Sequence, residues 1–103
     1  MLDEYRRRLD RRFGGRLTKA RLFGSRARGD ADPDSDIDVA VVVRDLTEPE
    51  RTEVIDLALE AWRATGRSGP LVSPLVWSDR EFAELLALER RVALDVEREG
   101  API

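Results

Sequence analysis

The chain contains neither cysteine nor histidine. Without cysteine there is no disulfide framework and no thiol chemistry, and a reducing compartment is the expectation. Without histidine the commonest general base and the usual zinc ligand set are missing too. No apolar run approaches the ~20 residues needed to cross a bilayer. The opening "MLDEYRRRLDRRFGG" is charged through its first turns and lacks the apolar centre of a signal peptide. A soluble, cytoplasmic protein is therefore expected. Its 103 residues suit a single domain, 1–103, with no internal repeat and no linker long enough to divide it. A chain of this size buries roughly two thirds of its extended surface, enough for a core without staples.

Charge of one sign is scarce in each part of the chain. Residues 1–30 carry ten Lys/Arg and four Asp/Glu, whereas residues 31–103 carry eight and seventeen, giving +6 and −9 within a net charge of −3. A basic front end can meet phosphates. Arg6, Arg7, Arg8, Arg11 and Arg12 more simply coat a solvated helix face, the usual fate of a charge run. No aromatic residue sits among them as a base-stacking platform would require, so direct nucleic-acid binding is not expected.

Hydrophobic spacing predicts alternating helices and strands. Leu2, Tyr5, Leu9 and Phe13 recur at helical intervals and stop at Gly14-Gly15. "RLTKARLF" alternates as a strand that closes at Gly24, and "DIDVAVVVR" is a β-branched run suited to a sheet covered on both faces. "TEPERTEVIDLALEAWRATG" opens on a capping box, Thr47 to Glu50, with Pro49 tolerated in the first turn. Val54, Ile55, Ala58, Leu59, Ala61 and Trp62 are read as its inward face. "GPLVSPLVW" is a third strand, which Pro74 assigns to a sheet edge or to a residue that donates no ladder bond. Ser78 and Glu81 repeat the capping signal before one last helix, "FAELLALERRVALDVEREG", ending at Gly100. With a short helix after Ser25 the order is αβαβαβα: an α/β (α+β) domain with a small mixed β-sheet flanked by helices.

The stretch "GSRARGDADPDSDIDVAVVV" concentrates the chemistry. Asp36 and Asp38 open a buried strand and project from one face, about 7 Å apart at their Cα atoms. Such a pair repels itself unless a cation lies between the carboxylates. Hard oxygen donors at this spacing suit Mg²⁺, which keeps waters and takes substrate phosphate oxygens as further ligands. Gly24 admits close backbone approach by a ligand, and Ser25 can cap a short helix whose N–H groups face an anion. Arg26 and Arg28 add charged donors able to grip phosphate. Asp30, Asp32 and Asp34 read as ordinary solvated turn residues. No calcium loop fits these acids, because glycine and glutamate are absent from its sixth and twelfth positions. A phosphate-binding loop of the Gly-Lys-Ser/Thr type is absent as well, and Arg28-Gly29-Asp30 is a chance tripeptide.

Gly24-Ser25, ten residues, then Asp36-x-Asp38 resembles the signature of minimal nucleotidyltransferases of the DNA polymerase beta superfamily. The likeness is near letter-for-letter over "GSRARGDADPDSDIDV" and looser over the rest of the chain, including the closing "EREGAPI". It implies a polymerase-beta-like nucleotidyltransferase fold and Mg²⁺-dependent use of ATP or another nucleoside triphosphate. Asp36 and Asp38 would hold the metal and carry the chemistry; Gly24, Ser25, Arg26 and Arg28 would seat the nucleotide. Many stand-alone domains of this kind are similar to antitoxins paired with an all-helical HEPN-type toxin, and some transfer AMP to a tyrosine of that toxin. The superfamily usually places a third carboxylate on the next strand, where this chain has Ser73. An enzyme acting on a partner protein and a binding module that neutralises a partner by contact therefore both stand. A polymerase or an antibiotic-modifying enzyme would need an acceptor domain for which 103 residues leave no room. A hetero-oligomer is expected, with homodimerisation as the alternative. Leu71, Leu75, Trp77 and Phe82 are interface candidates, although core packing is the usual fate of such residues.

Overall fold

A computed structural model describes residues 1–24, 29 and 36–103. Helix α1 (Leu2–Phe13) leads through a 3₁₀ turn (Gly14–Arg16) into β1 (Leu17–Leu22). There follow β2 (Ile37–Val43), α2 (Glu48–Ala64), β3 (Val72–Ser78), α3 (Asp79–Ala87), α4 (Arg91–Glu99) and β4 (Ala101–Pro102). Both expected capping boxes form. The Glu50 amide donates to Thr47 Oγ1 at 3.4 Å while the Thr47 amide donates to the Glu50 carboxylate at 3.0 Å. Ser78 and Glu81 exchange the same bonds at 3.1 and 2.9 Å. Each device satisfies two amides that a helix start would otherwise leave unpaired, at about 1 kcal/mol per cap. The short helix expected after Ser25 lies outside the described residues.

The sheet runs β3-β2-β1-β4, with β2 parallel to β3 and antiparallel to β1. Alternation along β2 builds two cores. Ile37, Val39, Val41 and Val43 pack with Tyr5, Leu9 and Phe13 of α1 and Val54, Ala58 and Ala61 of α2. Ala40 and Val42 turn to the other face and pack with Phe23, Phe82, Ala93 and Val96 under α3 and α4. The uninterrupted β-branched run of β2 is thus explained: both of its faces are covered.

Strand β3 is an edge, as Pro74 suggested. The Ile37 amide donates to the Leu71 carbonyl at 2.9 Å, which sets the parity of the ladder. Val72, Pro74 and Val76 consequently turn their backbone groups outward, where the amide that proline lacks costs no ladder bond. The Arg51 guanidinium reaches the outward Val76 carbonyl and also pairs with Glu81 at 2.7 Å.

Two expectations need correction. Ile55 and Leu59 are not on the inward face of α2; they are 48% and 39% exposed. Arg51 near the start of α2 reaches Val76, and the Trp62 indole donates to the Gly69 carbonyl at 3.3 Å. Residues on this stripe therefore overhang the β3 edge and find no sheet beneath them. The last helix is two helices, because Glu89 takes a left-handed φ of 54° and the Arg90 amide closes back on the Leu85 carbonyl at 2.9 Å. The break lets α3 leave from β3 at one edge and α4 deliver the chain to β4 at the other. That closing strand, pairing Leu22 with Ala101 and Arg21 with Pro102, had no sequence signal. Of the interface candidates, Phe82 is buried, Trp77 is half-buried, and Leu71 and Leu75 are exposed.

Two buried polar groups tie the helices together. The Tyr5 hydroxyl, sealed in the core, donates to the Val54 carbonyl at 2.9 Å, and burial raises its pKa. Glu50 is buried at the start of α2, where Arg16 meets both of its oxygens at 2.8 Å. Arg16 also donates to the carbonyls of Arg44 and Asp45, both at 3.1 Å. This fork pins the entrance of β1 to the β2–α2 turn. The Arg16 bond, and after it the Thr47 amide, hold the Glu50 carboxyl at about 2 instead of an ordinary 4.5. A lowered folded value means that the stabilisation is complete above pH 4.5 and is lost as pH falls towards 2. We expect melting temperature to decline through that window, with a shallower decline in Glu50→Gln. Scanning calorimetry between pH 2 and 6 measures it; parallel curves would exclude Glu50 as a source of the acid sensitivity.

Candidate active site

The site candidates meet where β1 ends and β2 begins. Antiparallel pairing sets Leu22 opposite Val39, and the Phe23 amide donates to the Asp38 carbonyl at 3.0 Å. Gly24 then turns the chain out of the sheet with a φ of +74°. A Cβ built on it would lie 3.0 Å from Asp38 Oδ2, so the carboxylate rests where any other residue would carry its side chain. Asp38 is half-buried on the face of Ala40 and Val42, and Asp36, exposed, stands just ahead of Ile37 at the strand's mouth. On the other side of Asp38, Ser73 of β3 is its register partner.

Gly24, Asp36 and Asp38 thus share one corner of the sheet. Ser25, Arg26 and Arg28 lie outside the described residues, as do Asp30, Asp32 and Asp34. Among the described residues no three carboxylates gather. The donor set still fits a hard divalent ion: carboxylate oxygens at the mouth of an inner strand, one set against a glycine that leaves room beside it. An alanine at position 24 would suffer twice, from the left-handed backbone and from contact with Asp38 Oδ2. We expect Gly24→Ala to cost about 1–2 kcal/mol in stability and to weaken Mg·ATP binding by more than ~10-fold, the Asp38 carboxylate being displaced. Thermal melts and calorimetric titration measure the two effects separately; unchanged binding would remove Gly24 from the site.

Several basic side chains elsewhere are occupied. Lys19 and Arg21 of β1 hold Glu97 of α4 at 2.7 and 3.5 Å, which lowers the Glu97 pKa, the Lys19 bond first among the causes. On α1, Arg6 pairs with Asp10 at 3.1 Å, Arg8 with Glu60 at 3.4 Å and Arg12 with Glu53 at 2.5 Å. These pairs support the expectation of a solvated helix face. The partners of Arg8 and Arg12, 52 and 41 positions away, carry no local sequence signal.

A glycine turn laid against a strand-borne carboxylate, on a mixed sheet flanked by helices, defines a class. The sequence profile of the nucleotidyltransferase domain matches residues 2–92, and the chain belongs to that family. It is 31% identical over 78 residues, 75% of this chain and 76% of the other, to a putative protein adenylyltransferase of Methanocaldococcus jannaschii. In fold it is similar to a chain from a crystal structure of a toxin–antitoxin with AMP-PNP. That superposition has a TM-score of 0.58 at 24% identity and covers 99% of this chain and 72% of that one. The minimal-nucleotidyltransferase resemblance and the polymerase-beta-like fold expected from the sequence are in keeping with all three. No helix among the described residues is long and apolar enough to cross a membrane.

Proposed function

We propose that this domain, acting as a single unit over residues 1–103, transfers a nucleotide, AMP from ATP, to a hydroxyl on a partner protein and thereby serves as an antitoxin to a HEPN-type toxin. The observation that carries this reading is the closeness of Gly24 to Asp38 Oδ2, which lets an anion-accepting turn and a cation-holding carboxylate serve one ligand. The adenylyltransferase relative supports AMP and a protein acceptor; the toxin–antitoxin neighbour suggests the setting.

In this reading Asp36 and Asp38 hold Mg²⁺. The bound ion would supply neutralisation of polyphosphate charge and Lewis-acid polarisation. The backbone of Gly24, the Ser25 hydroxyl, and Arg26 and Arg28 seat the outer phosphates. The acceptor oxygen forms its bond to the α-phosphorus as the bond to the bridging α,β-oxygen breaks; pyrophosphate leaves with that oxygen and the hydroxyl proton passes to solvent. Catalysis is chiefly alignment and charge placement.

A second reading, a binding module that neutralises a toxin by contact alone, is favoured by one observation: Ser73 is the register partner of Asp38, where a third carboxylate would stand. Incubation with α-labelled ATP, Mg²⁺ and the protein encoded beside this one separates the two. Label that reaches the neighbour and disappears with Asp36→Ala and Asp38→Ala supports transfer. Inhibition of the neighbour that persists through both substitutions, with no label, supports the module.

A further inference from the structure

Strand β3 brings an apolar surface to the side of Asp38. Parallel pairing puts Ser73 in register with Asp38, one strand spacing of about 4.8 Å away, with side chains on the same face. Leu71 and Leu75 lie two residues to either side on that face, each roughly 8 Å from Asp38 at the Cα atoms. Helical cover of the face thins towards this corner. Trp77, in register with Val42, is half-buried, and its ring lies 5.6 Å from that of Phe82 of α3. Leu75 and Leu71, further back along the strand, are 40% and 43% exposed. From Leu71 to Leu75 there is no charged side chain, and Ser73 is the one polar one.

An in-line displacement needs the attacking and departing oxygens on opposite sides of phosphorus. The sheet order β3-β2-β1 sets Gly24, just past β1, on one side of Asp38 and Ser73 of β3 on the other. With pyrophosphate held on the Gly24 side, the acceptor arrives over β3. We propose that Leu71 and Leu75 are acceptor-positioning residues: they seat apolar side chains that neighbour the accepting hydroxyl on a partner protein. The proposal rests on the nucleotide site inferred above. It adds where the acceptor docks and what chemistry surrounds its hydroxyl. A nucleic-acid acceptor would call for cations and a row of donors, where this stretch offers one hydroxyl. Covering the exposed parts of both leucines is worth more than ~10-fold in affinity.

Steady-state transfer of labelled AMP to the protein encoded beside this one tests the proposal. Leu71→Thr combined with Leu75→Thr keeps β propensity and removes apolar surface. It should raise the KM for the acceptor at least ~10-fold while the KM for ATP stays within ~2-fold. Leu71→Met with Leu75→Met should leave both values near the parent's. Ile55→Ala, at an exposed apolar residue of α2 on the opposite side of the sheet, should also change neither. An acceptor KM unmoved by the threonine pair, or moved as much by Ile55→Ala, would overturn the proposal and leave the nucleotide site standing. Binding of the metal–nucleotide complex that ignores Asp36→Ala and Asp38→Ala would instead sink the site itself. A dimer of the parent, seen by sedimentation and dissolved by the threonine pair, would give the leucines to a second copy of this chain and overturn the proposal too. Either threonine substitution alone should move the acceptor KM in the same direction, so the test stands even if the pair folds poorly.

Discussion

Asp38→Asn should lose nucleotidyl transfer by at least ~10²-fold while its melting temperature stays within ~4 °C of the parent. Asparagine keeps the shape and loses only the charge. Asp38 is half-buried near the start of β2, and its backbone carbonyl, which accepts from the Phe23 amide, is unchanged by the substitution. The fold therefore has little to lose, whereas the proposed metal site would lose one of its two carboxylate charges. Initial rates of label transfer at saturating Mg·ATP, beside a thermal melt, give both numbers. Activity within a few-fold of the parent would remove Asp38 from the chemistry, and a large drop in melting temperature would recast it as structural.

The largest stability loss is expected far from that corner, at Leu9→Ala. Leu9 is fully buried and joins α1 to Val39, Val41 and Val54 in the first core. Truncation removes three heavy atoms from a close-packed site, and the space is only partly refilled, at a cost of about 2–5 kcal/mol. For a domain of this size that lowers the melting temperature by at least ~10 °C. Calorimetric melting measures it. A drop below ~4 °C would mean that α1 contributes little to the core, contrary to the burial of Tyr5, Leu9 and Phe13.

The elements readable from the sequence were those set by neighbouring residues. Two capping boxes announce α2 and α3, because the residues that bond are three apart. The β-branched run of β2 identifies itself, since few other settings suit so many valines. The meeting of Gly24 with Asp38 was implied as well: a chain that leaves one strand and soon begins its antiparallel neighbour must return to the same end. What escaped notice depended on distant partners. Glu89 adopts the left-handed conformation without a glycine to mark it, because the break serves the crossing from β3 to β4. Ile55 and Leu59 match the helical period of the core-facing residues, yet the sheet ends before it reaches them. Glu50 has the sequence pattern of an exposed cap residue, but Arg16, 34 positions away, makes it an internal tie. Of the candidate site, Gly24, Asp36, Asp38 and Ser73 have observed positions.

Pro74 and Arg51 together decide how another protein can come alongside β3. With one amide missing and one carbonyl already claimed, that border offers no continuous row of bonds to a foreign strand. A strand laid along β3 would go without a bond from Pro74 and would have to displace Arg51 from the Val76 carbonyl, so this border is guarded against accidental pairing.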